Sequence, residues 1–205
     1  MALPATAWRE RVEFERRLVH SGGTLYPVPY LLGWFTWTET RYFLVAALAV
    51  VLALEFLRLV VGLDHALYRK LTREYESDAI AGYALYQVSM TGAVLFLEPT
   101  LAIPAMWMLS VGDPISGALG DNDATEAKRP AAWVAMLLVC FGLAVPFTVP
   151  AYGANVGVIV AVSGAVPAAV ADGLPPIIRG VAVDDNLTIP PAAAGGMLLA
   201  LAVVG

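Results

Sequence analysis

The sequence predicts an all-α fold, a polytopic membrane helical bundle of about seven transmembrane helices joined by short loops. Three observations predict it. Of 205 residues, 59% are hydrophobic and 14% are charged, where soluble domains have roughly 45–50% and 25%. Mean hydropathy is +0.72. Apolar runs of spanning length, roughly 20 residues each, follow one another along the chain and leave no room for a soluble domain. The expected organisation is an amphipathic segment over residues 1–17 and a single transmembrane domain over 18–205.

Residues 1–17 interleave Arg9, Arg11, Arg16 and Arg17 with Glu10, Glu13 and Glu15. They lack the apolar core and small-residue cleavage site of a signal peptide, and suit a helix lying on the membrane surface. Spans are then expected at Leu18–Trp37, Tyr42–Val61, Ala79–Leu97, Thr100–Leu119, Ala131–Val149, Asn155–Ala171 and Thr188–Val204. Trp34, Trp37, Tyr42 and Trp133 fall near span ends, where aromatic side chains anchor at the interface. Gly153 and Gly157 form a small-xxx-small pair suited to close helix packing. Cys140 is the single cysteine and lies inside an apolar run, which excludes a disulfide framework or a cysteine metal site.

Charge orients the bundle. On a seven-span count, eleven of the twelve basic residues fall on one side, Arg41 alone lying opposite, and the positive-inside rule identifies that side as the cytoplasm. The N-terminus is expected inside and the C-terminus outside. Acidic residues outnumber basic ones 17 to 12, a net charge of -5 with only two lysines. Such a balance argues against nucleic acid as a partner and suits a high-salt cytoplasm, as in a halophilic archaeon.

Within this frame His20, Glu55, Arg58, Asp113, Asp172, Asp185 and Asn186 all fall near cytoplasmic span ends. Acidic residues at membrane depth cost roughly 2.5–3.5 kcal/mol on insertion scales, so their layering points to a cytoplasm-facing site. Glu55 and Arg58 are three apart and share a helix face, as a structural ion pair or as part of that site. Asp113 has no basic residue within a helical turn; its neighbours Gly112, Pro114, Ser116, Gly117 and Gly120 open the backbone to a ligand. A carboxylate so placed suits Mg2+, which takes one or two protein carboxylates together with phosphate oxygens and water. Asp184-Asp185-Asn186 precedes the last span as a helix cap, with an acid to spare for a second metal or substrate role. Lys128 and Arg129 are candidates for phosphate contact, whereas the acidic loop Asp121-Asn122-Asp123 reads as solvated surface. No Walker loop, dinucleotide fingerprint, zinc-protease motif or Gly-x-Ser-x-Gly elbow occurs.

These pieces, in this order, resemble the membrane family of dolichol and phytol kinases, which use CTP and are related to CDP-lipid-forming cytidylyltransferases. Glu15-Arg16-Arg17-Leu18-Val19-His20 is similar to the family's basic segment before its first span. Glu55 to Arg58 resembles its acidic-basic pair, and Arg73, Glu76 and Gly82 its loop and following helix. The strongest match is Gly112-Asp113-Pro114-Ile115-Ser116-Gly117-Ala118-Leu119-Gly120, followed by Asp185-Asn186-Leu187-Thr188-Ile189-Pro190, with Asp172 where relatives carry a glutamate. The chain departs from the family at Lys128-Arg129-Pro130-Ala131-Ala132-Trp133, where relatives have Lys-Ser and then Glu-Gly-Ser.

The resemblance implies a lipid kinase that moves the γ-phosphate of CTP, or of another nucleoside triphosphate, to a polyprenol hydroxyl. Asp113, Asp172 and Asp185 would be catalytic, and Mg2+ would be held by Asp113 and Asp185. His20, Glu55, Arg58, Gly112, Gly117, Gly120, Lys128, Arg129 and Asn186 would bind nucleotide or lipid. A cytidylyltransferase, a transporter and a catalytically silent scaffold remain as alternatives. All the enzyme readings require Asp113, Asp172 and Asp185 to meet.

Overall fold

A computed structural model describes residues 20–63, 65, 68, 72, 76, 78–119, 128–174, 177–178 and 181–205. The expected amphipathic segment 1–17, Gly120, the acidic loop and the basic residues Arg69, Lys70, Arg73 and Arg179 lie outside the described residues. Described elements are α1 (Val28–Leu31), α2 (Trp37–Leu59), α3 (Gly82–Phe96), α4 (Pro99–Trp107), α5 (Asp113–Leu119), α6 (Pro130–Tyr152), α7 (Ala154–Gly173) and α8 (Asp185–Val204). Two-residue strands Ile177–Ile178 and Val181–Ala182 pair antiparallel before α8.

Four of these helices, α2, α6, α7 and α8, are long and apolar enough to cross a membrane. The chain is therefore a helical, multi-pass membrane protein. Where a first span was expected at Leu18–Trp37, the described part is helical only over residues 20–22 and then forms short turns: a 3-10 turn at Gly23–Leu25, α1, and a left-handed Gly33 with φ of +71°. Pro27 and Pro29 lack amide donors, and Gly22-Gly23 weakens helical propagation. α2 starts five residues before the expected Tyr42, because Thr36 and Glu39 form a reciprocal capping box: Thr36 N–H donates to Glu39 Oε2 (2.7 Å) and Glu39 N–H to Thr36 Oγ1 (3.2 Å).

The expected third span contracts to the 15 residues of α3. At 1.5 Å per residue it is about 22 Å long, short of the ~30 Å hydrocarbon core. It compensates by burial: Ala84, Met90, Ala93 and Val94 sit in the core. α4 and α5 form one helical run whose middle, Met108–Gly112, widens into a π-helical turn after the internal Pro104. Such turns insert an extra residue and re-aim the side chains beyond them, and Asp113 comes directly after.

α6 and α7 form a tight hairpin through Gly153, whose φ of +79° favours glycine. Gly157 then lies against the Val149 backbone, where a Cβ would collide. The expected Gly153/Gly157 pair thus divides into a turn and a close contact. Gly196 of α8 meets the Ser163 carbonyl of α7 in the same way. The core beneath the site is built from Leu44, Met90, Met106, Leu109, Met136 and Met197.

Candidate functional site

Asp113 opens α5, Asp172 closes α7 and Asp185 opens α8. One carboxylate oxygen from each lies within 4.8 Å of the others. Acids separated by up to 72 positions in the chain therefore converge at one end of the bundle. Local sequence explains how each gets there. The π turn aims Asp113 inward; Asp184 serves as the N-cap of α8, accepting the Asn186 N–H at 2.9 Å, which leaves Asp185 available to the cluster.

Lys128 reaches into the same space. Its Nζ donates to Asp172 Oδ1 at 2.6 Å and Ser116 Oγ at 3.0 Å, and lies 3.4 Å from Asp113 Oδ1. Ser116 in turn donates to Asp172 Oδ2 at 2.8 Å. The Lys128 backbone is held too, its N–H donating to the Gly173 carbonyl (3.2 Å). Gly173 must be glycine, because a Cβ there would enter the Trp133 indole. Burial favours the neutral amine of Lys128, but the facing Asp113 and Asp172 carboxylates outweigh it and hold its pKa above the ordinary lysine value.

His20 closes another side of the cluster. Its Nε2 is 3.5 Å from Asp113 Oδ2 and 3.2 Å from the Leu109 carbonyl in the π turn. Tyr86 packs edge-on against its ring and donates its hydroxyl to the His20 carbonyl at 2.9 Å.

Glu55 and Arg58 form a second, neighbouring cluster. Arg58 grips both Glu55 oxygens and also donates to the Glu76 and Ala79 carbonyls. Glu55 further accepts from the Ala81 N–H (2.8 Å) and the Tyr83 hydroxyl. The two clusters approach through Gly82, whose N–H donates to Glu76 Oε1 and beside which Asn186 and Asp184 lie. Ser89 Oγ donates to the Asn186 carbonyl at 2.6 Å, joining α3 to α8.

Of the residues singled out in the sequence, His20, Asp113, Lys128, Asp172 and Asp185 come together, with Asn186 alongside. Glu55 and Arg58 are committed to their own network. Arg129 is exposed at the start of α6. Gly112 makes room for α6, since a Cβ would meet Met136 Sδ and Cys140 Sγ, whereas a Cβ added at Gly117 would meet nothing within 4 Å. Sequence reasoning counted Ser116 only among the small residues beside Asp113, without a hydrogen-bonding role, and overlooked Tyr83 and Tyr86. Ser116 had a signal, lying one helical turn beyond Asp113.

The donor set is all oxygen, which suits hard cations such as Mg2+ or Mn2+ over zinc. Asn186 Oδ1 is a further buried oxygen with no hydrogen-bond partner among the described residues. On the outer face of the bundle, Trp133, Val134 and Leu137 of α6 and Val166, Ala169 and Val170 of α7 line an apolar groove of about 150 Å³. Trp133 connects the groove to the cluster, packing on the residue after Asp172. No family model, curated protein or solved structure matches the chain.

Proposed function

We propose that this chain is a membrane phosphotransferase that moves the γ-phosphoryl group of CTP, or another nucleoside triphosphate, to the hydroxyl of a polyprenol-type lipid at the cytoplasmic face. The observation that carries the reading is the meeting of Asp113, Asp172 and Asp185 beside Lys128. A scaffold gains no stability from three gathered acids, because like charges repel and burial disfavours each. In this reading the topology is seven-span, with the irregular segment 20–36, which runs from Asp113 at one end of the bundle to Leu97 at the other, α3 and the α4–α5 run joining α2, α6, α7 and α8.

Asp113 and Asp185 would hold Mg2+, which when bound supplies positive charge to the triphosphate oxygens. The exposed Arg129 faces the incoming phosphates. Asp172 accepts the proton of the lipid hydroxyl as its oxygen bonds to the γ-phosphorus, and the bond from that phosphorus to the β,γ-bridging oxygen breaks, releasing the nucleoside diphosphate. Ser116 holds the Asp172 carboxylate in orientation. The groove beside Trp133 takes the first carbons of the lipid chain, since Val134, Leu137, Val166, Ala169 and Val170 line it with apolar side chains.

Membranes containing the protein, supplied with CTP labelled at the γ-phosphate or in the cytidine, test the reading. Label from the γ-phosphate is expected in a lipid phosphate. Cytidine label in the lipid would instead make the reaction a nucleotidyl transfer. Absence of both labels from lipid, with ATP tried alongside CTP, would overturn the enzyme reading.

A further inference from the structure

We infer that Lys128 is the resident counter-ion of the carboxylate cluster, and that a divalent cation enters by exchanging with its ammonium. The inference rests on reading Asp113, Asp172 and Asp185 as a cation site. It adds that the site is guarded by a tethered cation of the chain itself.

The geometry leaves one position for two cations. The ammonium contacts Asp172 Oδ1 at 2.6 Å and Asp113 Oδ1 at 3.4 Å, and the three acids present oxygens within 4.8 Å of one another. Mg2+ draws carboxylate oxygens to about 2.1 Å, so an ion held by Asp113 and Asp185 meets the ammonium, itself 3.4 Å from Asp113 Oδ1, at close range. Two like charges cannot share that space. Asn186 Oδ1, on the residue next to Asp185, is a buried oxygen without a partner among the described residues.

Lys128 is also built to leave. Its backbone N–H is fixed to the Gly173 carbonyl, but its side chain is a flexible four-carbon stem with a strongly hydrated head, and 17% of it is exposed. Rotating about the stem carries the ammonium outwards without moving α6. Asp172 has no exposed side-chain surface, so the acids stay while the lysine goes. Ser116, which accepts from Lys128 and donates to Asp172, keeps its bond to the carboxylate after the exchange.

Amine modification reads this exchange directly, because Lys70 and Lys128 are the only lysines. The intact purified protein is treated with formaldehyde and a mild reductant, with and without Mn2+, and methylation of the Lys128 peptide is measured by mass spectrometry. Electron paramagnetic resonance counts bound Mn2+ in the same samples. Without Mn2+, Lys128 is expected to react at least tenfold more slowly than in unfolded protein; saturating Mn2+ should remove most of that protection. Lys128→Met should bind Mn2+ at least tenfold more tightly than the unaltered protein, and Lys128→Arg, which keeps a tethered cation, should not. Bound Mn2+ with Lys128 still protected would overturn the exchange while leaving the cation site standing. Absence of bound Mn2+ from both the unaltered protein and Lys128→Met would overturn the cation site and the exchange together.

Discussion

Two clusters of charge sit side by side at one end of this bundle, and they are built on opposite principles. In the Glu55 cluster acid and base are matched one to one: Arg58 satisfies both carboxylate oxygens, and Ala81 and Tyr83 add donors. In the Asp113 cluster, among the described residues, three acids face one lysine, with His20 at the edge. A matched buried pair offsets its own desolvation. An excess of carboxylates does not, and its natural complement is an external cation. The difference separates a stitch, which ties the segment around Glu76 and Ala79 to α2, from a candidate cation site.

The sharpest way to break the comparison is to remove one acid from each cluster. Asp113→Asn should lower lipid phosphorylation by at least about 10²–10³-fold, the scale of losing a single charge-stabilising group, while membrane insertion and thermal stability in detergent are retained. Full turnover in that variant would remove the distinction. Glu55→Ala should do the reverse, destabilising the protein by about 3–5 kcal/mol because Arg58 is left buried without its partner; thermal unfolding in detergent reads this.

A smaller effect sharpens the contrast. Asp185→Asn removes one of three mutually repelling acids, and should stabilise the protein in the absence of divalent ions by about 0.5–2 kcal/mol, the usual gain from a single stabilising substitution. A loss of stability there would mean that Asp185 is structural. The smallest expected effect is at Thr36→Ala, which lies far from both clusters: loss of the cap should cost about 1 kcal/mol and leave turnover unchanged.

Much of the fold was legible in the sequence, for a physical reason. Hydropathy sums over neighbouring residues, so the runs that became α2, α6, α7 and α8 announced themselves. Breaks were harder to read. Pro27, Pro29 and the paired glycines stood in plain view inside the expected first span, but a window average conceals them, and the Thr36–Glu39 box that sets the start of α2 was equally visible. The acids of the site were legible as well, since a carboxylate in an apolar run is conspicuous. Their partners were not.

Composition and the order of apolar runs were enough to establish a helical membrane protein with Asp113, Asp172 and Asp185 at the ends of those runs. Which charges pair follows from how the helices pack. The Lys128 ammonium lies among carboxylates rather than waiting in a loop for phosphate, and Glu55 and Arg58 close on the neighbouring segment instead of joining the acids. Side-chain partnership depends on which helices pack together and on how far a π turn rotates the residues beyond it. Both are set by contacts between segments far apart in the chain, where no local pattern records them.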